Sequence, residues 1–193
     1  MNFLFDIDGT LTQPRRSMDK DFKQFFGQWT VFRQGWYGDK VFFVTGSDRE
    51  KTIQQIGTPL WRCVNGSYQC CGNQLYKQGR LVKESKWQIS AHLRLDLHIL
   101  LEKSPWFGKA KNNIEERIGM VNITTLGRSA TKRQRQVYCK WDKVIGERRS
   151  IVERLSMLYP KLEFSVGGEI SIDIYPKGKN KSQALLDMTG KTV

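Results

Sequence analysis

The sequence lacks an apolar run long enough to cross a bilayer, and its few cysteines and histidines form no metal-ligand pattern. A membrane-spanning helix needs about 20 mainly apolar residues. The two histidines have no neighbouring cysteine or carboxylate cluster, and no paired metal-ligand spacing joins the four cysteines, Cys63, Cys70, Cys71 and Cys139. Internal repeats, low-complexity linkers and heptad runs are absent as well. These absences exclude a membrane-spanning protein, a zinc site of the usual spacing and a repeat protein, and they predict reduced thiols.

The length and the first residues set further bounds. A chain of 193 residues can form one domain or two small ones, each with a core. Its first residues are an apolar, strand-like segment, which leaves no room for a signal or transit peptide. We therefore expect a cytoplasmic protein with no membrane partner.

Positive charge dominates the composition. The chain has 32 Lys and Arg residues against 19 Asp and Glu residues, a formal net charge of +13. Such a surface can bind nucleic acid or collect phosphorylated metabolites. The run Lys132-Arg133-Gln134-Arg135 could contact a nucleic-acid backbone, and the six tryptophans could stack on bases. Because the tryptophans are scattered among strand and helix patterns, packing is their favoured role and nucleic-acid binding the less favoured function.

Two carboxylates follow the first apolar strand. The segment Asp6-Ile7-Asp8-Gly9-Thr10-Leu11-Thr12 comes directly after Phe3-Leu4-Phe5. Side chains at i and i+2 of an extended segment point to the same face, so both acids can address one substrate and one cation. The alternative is an ordinary Asp-Gly turn. The strand before the motif and the Thr-x-Thr after it favour a phosphoryl-transfer site, where an Asp pair supplies a nucleophile and a proton shuttle.

A second strand ends in a small polar loop. Lys40-Val41-Phe42-Phe43-Val44 is typical of a buried parallel strand, and Thr45-Gly46-Ser47-Asp48 follows it. Ser47 or Asp48 can cap a helix over Arg49 to Ile56, whose free N–H groups could bind an anion. The alternative is a plain helix cap without a ligand.

The pattern changes in the middle of the chain. Trp61-Arg62-Cys63-Val64 predicts a third short strand, and a Gln78-Gly79 turn predicts a hairpin of residues 74–76 and 80–82. After Tyr76 the parallel layout ends, and the pattern predicts helices over 88–103 and 150–158 and strands over 120–124 and 169–175. This arrangement indicates an inserted lid with an antiparallel sheet.

Four sets of residues resemble a known family. The string DIDGTLTQPRR (Asp6 to Arg16) resembles the first motif of the haloacid-dehalogenase (HAD) superfamily and, within it, the eukaryotic-type phosphomannomutases. In the second half, the segments 116–123, 126–129 with Arg135, and 164–176 resemble the lid motifs of that family, in the same order. The resemblance implies an α/β fold: a HAD-like (Rossmannoid) parallel core sheet over 1–76 plus 177–193, and an inserted α+β lid domain over 77–176 that binds the substrate.

The resemblance also implies roles for single residues. Asp6 would be the nucleophile, Asp8 the acid/base, and Lys181 the cation that neutralises the aspartyl-phosphate, with Mg2+ at Asp6 and Asp8. The implied substrate-binding residues are Arg15 at the lid hinge, Gly46 and Ser47 around the phosphate, Arg117, Arg128 and Arg135 on the distal phosphate, and Ser171 and Asp173 on sugar hydroxyls. Arginine suits phosphate because its planar fork of donors binds two oxygens at once. The alternative for the arginines is an ordinary solvated basic surface.

The end of the chain departs from the family pattern. Gly178-Lys179-Asn180-Lys181 supplies the expected Gly-x-x-Lys, after which the sequence stops at Val193. The family continues with a strand and a glycine-and-aspartate loop that holds Mg2+ from the far side. We therefore expect a C-terminally incomplete core with weakened metal binding. We also expect the first strand to have an unpaired apolar edge that a partner chain covers.

Together these features predict a phosphomannomutase-like phosphotransferase that interconverts hexose 1-phosphate and 6-phosphate and forms mannose 1-phosphate for GDP-mannose. The expected partners are the hexose phosphate, a hexose bisphosphate activator, and a second copy through the lid or a chain at the core edge. The alternatives are a HAD-type sugar-phosphate phosphatase, a truncated pseudoenzyme or assembly subunit that binds sugar phosphate without turnover, and a basic nucleic-acid-binding protein.

Overall fold

The computed structural model describes residues 1–14 and 16–193, which form two compact units, 1–85 with 178–193 and 86–177. The first unit contains β1 (Asn2–Phe5), α1 (Lys20–Tyr37), β2 (Lys40–Val44), α2 (Arg49–Ile56), α3 (Thr58–Cys63), β3 (Gly66–Gln69), β4 (Gln74–Lys77), β5 (Arg80–Glu84) and α7 (Gln183–Leu186). The second contains α4 (Ala91–Glu102), β6 (Ile114–Arg117), β7 (Met120–Ile123), α5 (Lys132–Ile145), α6 (Glu147–Leu158), β8 (Leu162–Gly167) and β9 (Ser171–Pro176).

The sheet of the first unit has the order β1-β2-β3-β4-β5. β1, β2 and β3 run parallel, with Phe3 opposite Val41 and Phe42 opposite Gly66. β4 and β5 continue the sheet antiparallel, as the predicted hairpin. The continuous apolar run of β2 is buried from Val41 to Val44, because this strand lies inside the sheet. The carboxyl ends of β1 and β2 therefore lie at the same edge of the sheet.

Helix α1 packs one face on this sheet. Asp19 caps it by accepting hydrogen bonds from the backbone N–H groups of Asp21 and Phe22, and it ends at Gly38 in the left-handed conformation, with φ of 64°. Phe26 is 4% exposed and meets the ring of Phe5 edge-on at 5.0 Å. The apolar and aromatic spacing of α1 thus places the helix over β1.

Two expectations for the first unit are wrong. The segment 61–64 does not form a strand: α3 covers Thr58–Cys63, and the third strand is Gly66–Gln69. Gly57, with φ of 83°, ends α2, and proline in the first turn of α3 fits a helix start. Leu60, Trp61 and Val64 then bury their side chains in the core of this unit at helical spacing.

The outer edge of β1 is also not bare, contrary to the expectation. The N–H of Asn2 donates to the carbonyl of Lys191 over 2.8 Å, and that of Leu4 donates to the carbonyl of Val193 over 2.9 Å. The N–H of Val193 returns a hydrogen bond to the carbonyl of Asn2 over 2.8 Å. Because residues 191–193 run alongside β1 and satisfy its backbone groups, the expected need for a partner chain at this edge disappears.

The second unit is built on an antiparallel sheet with the order β6-β7-β9-β8, as the sequence pattern predicts. Helices α4 and α6 bury Leu93, Leu97 and Leu155 against Ile123 and Ile172 of this sheet. Helix α5, whose existence the sequence left open, begins with a capping box in which Thr131 and Gln134 exchange hydrogen bonds. The unit begins at Lys86, later than the predicted boundary at residue 77, because β4 and β5 stay paired with the first sheet.

Within the part of the chain that the structure describes, no helix is long and apolar enough to cross a membrane.

Candidate active site

Asp6 lies directly after β1 and forms an ion pair with Lys181. The distance from Asp6 Oδ2 to Lys181 Nζ is 2.9 Å, and the N–H of Ile7 donates to the other carboxylate oxygen over 2.8 Å. Both side chains of the ion pair remain partly open, with 37% of Asp6 and 43% of Lys181 exposed. The carboxylate is therefore oriented, charge-compensated and accessible to a ligand.

The segment that carries Lys181 is attached to the core by Gln183. The amide of Gln183 is buried and donates to the carbonyl of Cys71 over 2.8 Å. Gly72 makes room for this contact, since a Cβ there would lie 2.6 Å from Gln183 Cγ. Gln183 and Gly72 thus fix the approach of a lysine that lies near the opposite end of the sequence from β1.

Asp8 sits in a tight turn between residues 7 and 12. The N–H of Gly9 donates to the carbonyl of Thr12 over 2.7 Å, and that of Thr12 donates to the carbonyl of Ile7 over 3.0 Å. Gly9 has φ of 89°, a conformation that glycine adopts without strain. The Asp-Gly pair is therefore a turn, and the same turn presents the second carboxylate.

Helix α2 holds the Asp8 carboxylate. Ser47 Oγ donates to Asp8 Oδ2 over 3.2 Å, and Lys51 Nζ to the same oxygen over 3.1 Å. Gln55 Nε2 donates to Asp8 Oδ1 over 2.7 Å and to Thr12 Oγ1 over 3.2 Å. Ser47 and Gln55 are each 4% exposed, so these donors are fixed by packing.

Lys51, Gln55 and Thr12 are site residues that the sequence interpretation missed. Ser47, Lys51 and Gln55 are spaced four residues apart, so on a helix they lie along one face. Asp48 caps α2 and accepts from the N–H of Lys51 over 2.8 Å, which confirms the predicted helix start. That spacing, applied to the correctly predicted helix, was the signal that could have found Lys51 and Gln55, whereas Thr12 lies in the turn after β1 and has no such signal.

The remaining predicted residues of the first unit have different outcomes. Gly46 lies in the same loop as Ser47, and a Cβ there would be 3.5 Å from Cys71 Sγ. Arg15 lies outside the residues that the structure describes.

The second unit contains a cluster of charged and amide side chains that we call the Glu115 set: Glu115, Arg117, Asn122, Arg128 and Asp173. Glu115 and Asn122 are opposite one another in β6 and β7, and Asn122 is opposite Asp173 in β9. The strand register therefore aligns an acid, an amide and an acid across three strands.

Two arginines converge on Glu115. Arg117 Nε and Nη2 donate to its two oxygens over 2.9 and 3.1 Å, and Arg128 Nη1 forms a second ion pair with it. Arg128 also donates to Asn122, whose amide donates to Asp173 Oδ1 over 2.5 Å. Burial raises the pKa of Glu115, but the hydrogen bonds and charges of Arg117 and Arg128 hold it below its ordinary value.

Arg135 and Ser171 flank this set. Arg135 Nη2 donates to the carbonyl of Arg128 over 2.7 Å, so it supports the loop that carries Arg128. Ser171 Oγ donates to the carbonyl of Gly167 over 2.9 Å. A Cβ on Gly167 would lie 2.5 Å from Asp173 Oδ2, so a larger residue there would displace that carboxylate. The structure thus connects Arg117, Arg128 and Asp173 through Glu115 and Asn122, neither of which the sequence interpretation included.

Among the described residues there is no group of three or more His, Cys, Asp and Glu side chains placed to hold a metal ion. Asp6 and Asp8 are the paired carboxylates at the end of β1. Magnesium commonly binds one or two carboxylates and takes its other ligands from water and substrate phosphate. The open carboxylate of Asp6 fits that pattern.

The chemistry that these residues support is transfer of a phosphoryl group. An accessible carboxylate can attack phosphorus, a second carboxylate two residues away can move a proton, and a lysine beside the first can neutralise developing charge. Arginines and acids in the second unit suit a phosphate and hydroxyl groups.

Comparison with known proteins agrees with this chemistry. Residues 32–192 match the family described as eukaryotic phosphomannomutase. A phosphomannomutase of Oryza sativa subsp. indica is 31% identical over 195 residues, covering 94% of this chain and 74% of the relative.

Solved structures give the fold. The C-terminal domain of the C. albicans trehalose-6-phosphate phosphatase superposes with a TM-score of 0.61 at 20% identity, over 95% of this chain and 59% of that one. A haloacid dehalogenase-like hydrolase from Bacteroides thetaiotaomicron superposes with a TM-score of 0.57 at 12% identity, over 96% of this chain and 74% of that one. This chain thus spans less than two thirds of the first structure. The fold is HAD-like α/β, and the chain belongs to the eukaryotic phosphomannomutase family.

Proposed function

We propose that this protein moves a phosphoryl group between positions 1 and 6 of a hexose, with mannose phosphate as the substrate, through a covalent intermediate on Asp6. The observation that carries the proposal is the 2.9 Å ion pair of Asp6 with Lys181 beside the Asp8 carboxylate. The partly exposed Asp6 is the group to attack, and Asp8, held by Ser47 and Lys51, is the group to move protons.

The proposed reaction has two steps. In the first, an Asp6 carboxylate oxygen bonds to phosphorus while the bond from phosphorus to the sugar oxygen breaks, and Asp8 gives a proton to that leaving oxygen. In the second, a sugar hydroxyl loses its proton to Asp8 and attacks the aspartyl-phosphate, which regenerates Asp6. Lys181 compensates the negative charge on the transferring group in both steps. The first molecule to phosphorylate Asp6 in this way is a hexose bisphosphate, which prepares the enzyme for the monophosphate substrate.

We also propose Mg2+ as the cation of this site, held by the Asp6 carboxylate and the Asp8 carbonyl with water and substrate phosphate. When bound, it would neutralise phosphate charge and align phosphorus with the nucleophile. The residues of the chain supply the nucleophile, the proton shuttle and the fixed lysine.

The Glu115 set is proposed to bind the part of the substrate that does not react. Arg117, Arg128 and Arg135 would recognise the distal phosphate, and Ser171 and Asp173 the sugar hydroxyls. Both Arg117 and Arg128 are already paired with Glu115, so a phosphate must share these donors with a carboxylate. Glu115 therefore positions the arginines and also weakens their hold on a dianion.

Turnover of mannose 1-phosphate and glucose 1-phosphate tests the proposal. The full chain would be assayed with Mg2+, with and without hexose 1,6-bisphosphate, beside Asp6→Asn. Asp48→Asn is the matched control, because Asp48 caps α2 and asparagine is also a good cap. We expect formation of the 6-phosphate by the parent and by Asp48→Asn, and loss of activity of at least about 1,000-fold in Asp6→Asn.

The other outcomes separate the alternatives. Release of inorganic phosphate, dependent on Asp6, would identify a sugar-phosphate phosphatase. Binding of sugar phosphate with no turnover would identify a pseudoenzyme. Activity that survives Asp6→Asn would refute the covalent mechanism.

Two further parts of the proposal concern the cellular location and the oligomeric state of the protein. We propose that the protein acts in the cytoplasm and forms a homodimer through its second unit. Sedimentation velocity of the purified chain tests the dimer directly.

A further inference from the structure

The second unit contains a cavity that none of the proposed substrate-binding residues line. It has a volume of about 350 Å3 and lies among side chains of α4 and α6, the residues that follow α4, and the end of α5. This volume lies within the range of small-molecule sites, which are typically 300 to 1,000 Å3. We call it the α4–α6 cavity.

Its lining is mainly apolar and grades from buried to exposed. Ile151 is 7% exposed and Leu155 is fully buried, whereas Ile99 and Leu158 are 42% and 58% exposed. Large apolar side chains that lie together and exposed around a concavity commonly mark a binding site. The interior of the cavity therefore suits the hydrocarbon part of a ligand, and the half-exposed side chains at its margin can also contact that ligand.

The acids that line the cavity already have hydrogen-bond donors. Glu147 is 6% exposed and accepts from Thr125 Oγ1 over 2.7 Å and from Tyr138 OH over 2.8 Å, and also from Ser104. Asp96 accepts from Tyr159 OH over 2.5 Å. Glu147 is buried and accepts from three hydroxyl groups, and Asp96 has a hydroxyl donor and His92 Nε2 at 3.9 Å, so both carboxylates already have partners within the chain.

The two cations that line the cavity, unlike the acids, have no side-chain partner among the described residues. Lys103 and Arg154 are both exposed, and neither makes a side-chain hydrogen bond or an ion pair with any described residue. An ammonium group has three N–H donors and a guanidinium group has five, and neither has an acceptor. Both cations are exposed to water, so the donors that a ligand can take up at the cavity without breaking a contact of the chain carry positive charge, which favours an anionic acceptor group.

We propose that the α4–α6 cavity binds a small amphipathic carboxylic acid, with the hydrocarbon chain against Ile99, Ile151 and Leu158 and the carboxylate on Lys103 and Arg154. The site is independent of the proposed phosphoryl transfer, because it shares no residue with Asp6, Asp8 or the Glu115 set. A ligand there would brace α4 against α6.

Calorimetric titration of the full chain with octanoate and with octylammonium tests the proposal, since the two probes share a chain length and differ in head-group charge. We expect saturable binding of one octanoate per chain and none of octylammonium. Ile99→Trp, which fills the cavity from a half-exposed position, should abolish binding. Lys103→Ala combined with Arg154→Ala should weaken it at least tenfold.

The control removes two other exposed cations of the same unit, Lys140→Ala with Arg149→Ala, and should leave binding unchanged. Circular dichroism of each variant verifies folding. Equal binding of octylammonium would overturn the assignment of an anionic head group. Octanoate binding that Ile99→Trp leaves intact, or no octanoate binding by the parent, would overturn the site. A dimer that Ile99→Trp dissociates, without octanoate binding, would assign the cavity to a second copy of the chain instead.

Discussion

Replacing Gln55 with leucine tests whether the buried face of α2 orients the Asp8 carboxylate. Gln55 is 4% exposed, and its amide donates to Asp8 Oδ1 over 2.7 Å and to Thr12 Oγ1 over 3.2 Å. Leucine has a similar size and no donor, so the substitution removes both hydrogen bonds and keeps the volume filled. Ser47 and Lys51 continue to donate to Oδ2. The carboxylate then keeps these donors at Oδ2 and loses the Gln55 amide at Oδ1, which weakens the control of its orientation.

The expected size of the effect follows from the charge of the acceptor. A hydrogen bond to a charged group contributes about 1.5 to 3 kcal/mol, and the buried leucine side chain offsets part of that loss. We expect the free energy of unfolding to fall by about 1 to 2 kcal/mol. If Asp8 must keep its orientation to move a proton, kcat should fall by about 10- to 100-fold, since each 1.4 kcal/mol corresponds to a factor of ten.

Urea denaturation and steady-state turnover of mannose 1-phosphate measure the two effects. Gln54→Leu is the matched control, because Gln54 is the exposed neighbour on the same helix and makes no contact with Asp8 in the structure described. A Gln55→Leu variant that loses stability but keeps the kcat of the control would limit Gln55 to a packing role. Unchanged stability and unchanged kcat would refute the reasoning altogether.

Three further predictions concern the core of the first unit and the Glu115 set. Phe26→Ala should lower the free energy of unfolding by about 3 to 5 kcal/mol and Phe25→Ala by less than about 1 kcal/mol in chemical denaturation, because the first side chain is 4% and the second 59% exposed; equal losses would contradict the packing of α1. Glu115 has a lowered pKa, so its stabilising contribution is complete above its ordinary value and is lost as pH falls through the folded-state value. Glu115→Gln should therefore flatten the fall in stability between about pH 5 and 3, and a curve parallel to the parent's would contradict the ion pairs. Gly167→Ala places a Cβ 2.5 Å from Asp173 Oδ2 and should raise KM for sugar phosphate more than it lowers kcat, whereas an unchanged KM would remove Asp173 from the substrate site.

The features that the sequence predicted correctly depend on contacts close in the chain. The end of β1 and the Asp48 cap of α2 each involve residues within a few positions of one another, as does the Asp-Gly turn that the sequence offered as the alternative at Asp8. The antiparallel sheet of the second unit also follows from local strand and turn patterns. Trp61 shows the limit of this reasoning, because a short segment with apolar residues at 61, 63 and 64 fits a strand and a helix equally well. In this chain Gly57 ends α2 and Pro59 lies in the first turn of α3, which favours the helix. Both residues can be read from the sequence.

The features that could not be predicted depend on contacts between distant parts of the chain. The pairing of residues 191–193 with β1 joins the two ends of the sequence, and no local pattern in Lys191-Thr192-Val193 indicates a partner. Lys181 reaches Asp6 from a segment that Gln183 attaches to the core. The amide of Gln183 donates to the carbonyl of Cys71, and Gly72 leaves room for the Gln183 side chain. In the absence of the structure, the role of Lys181 rested on resemblance alone.

The Glu115 set depends both on contacts between residues close in the chain and on contacts between distant residues. A two-residue turn, with Gly119 at φ of 68°, sets the register of β6 and β7 and so places Glu115 opposite Asn122; this step is local and follows from the turn length. The pairing of Asn122 with Asp173 joins residues about 50 positions apart, and a shift of one residue would turn Asp173 to the other face of the sheet. The buried alternation of Ile172 and Ile174 prevents that shift, because it would expose both isoleucines. The position of the acid that is proposed to bind sugar hydroxyls is therefore fixed by the hydrophobic residues on either side of it, which is why a list of polar residues alone could not have placed it.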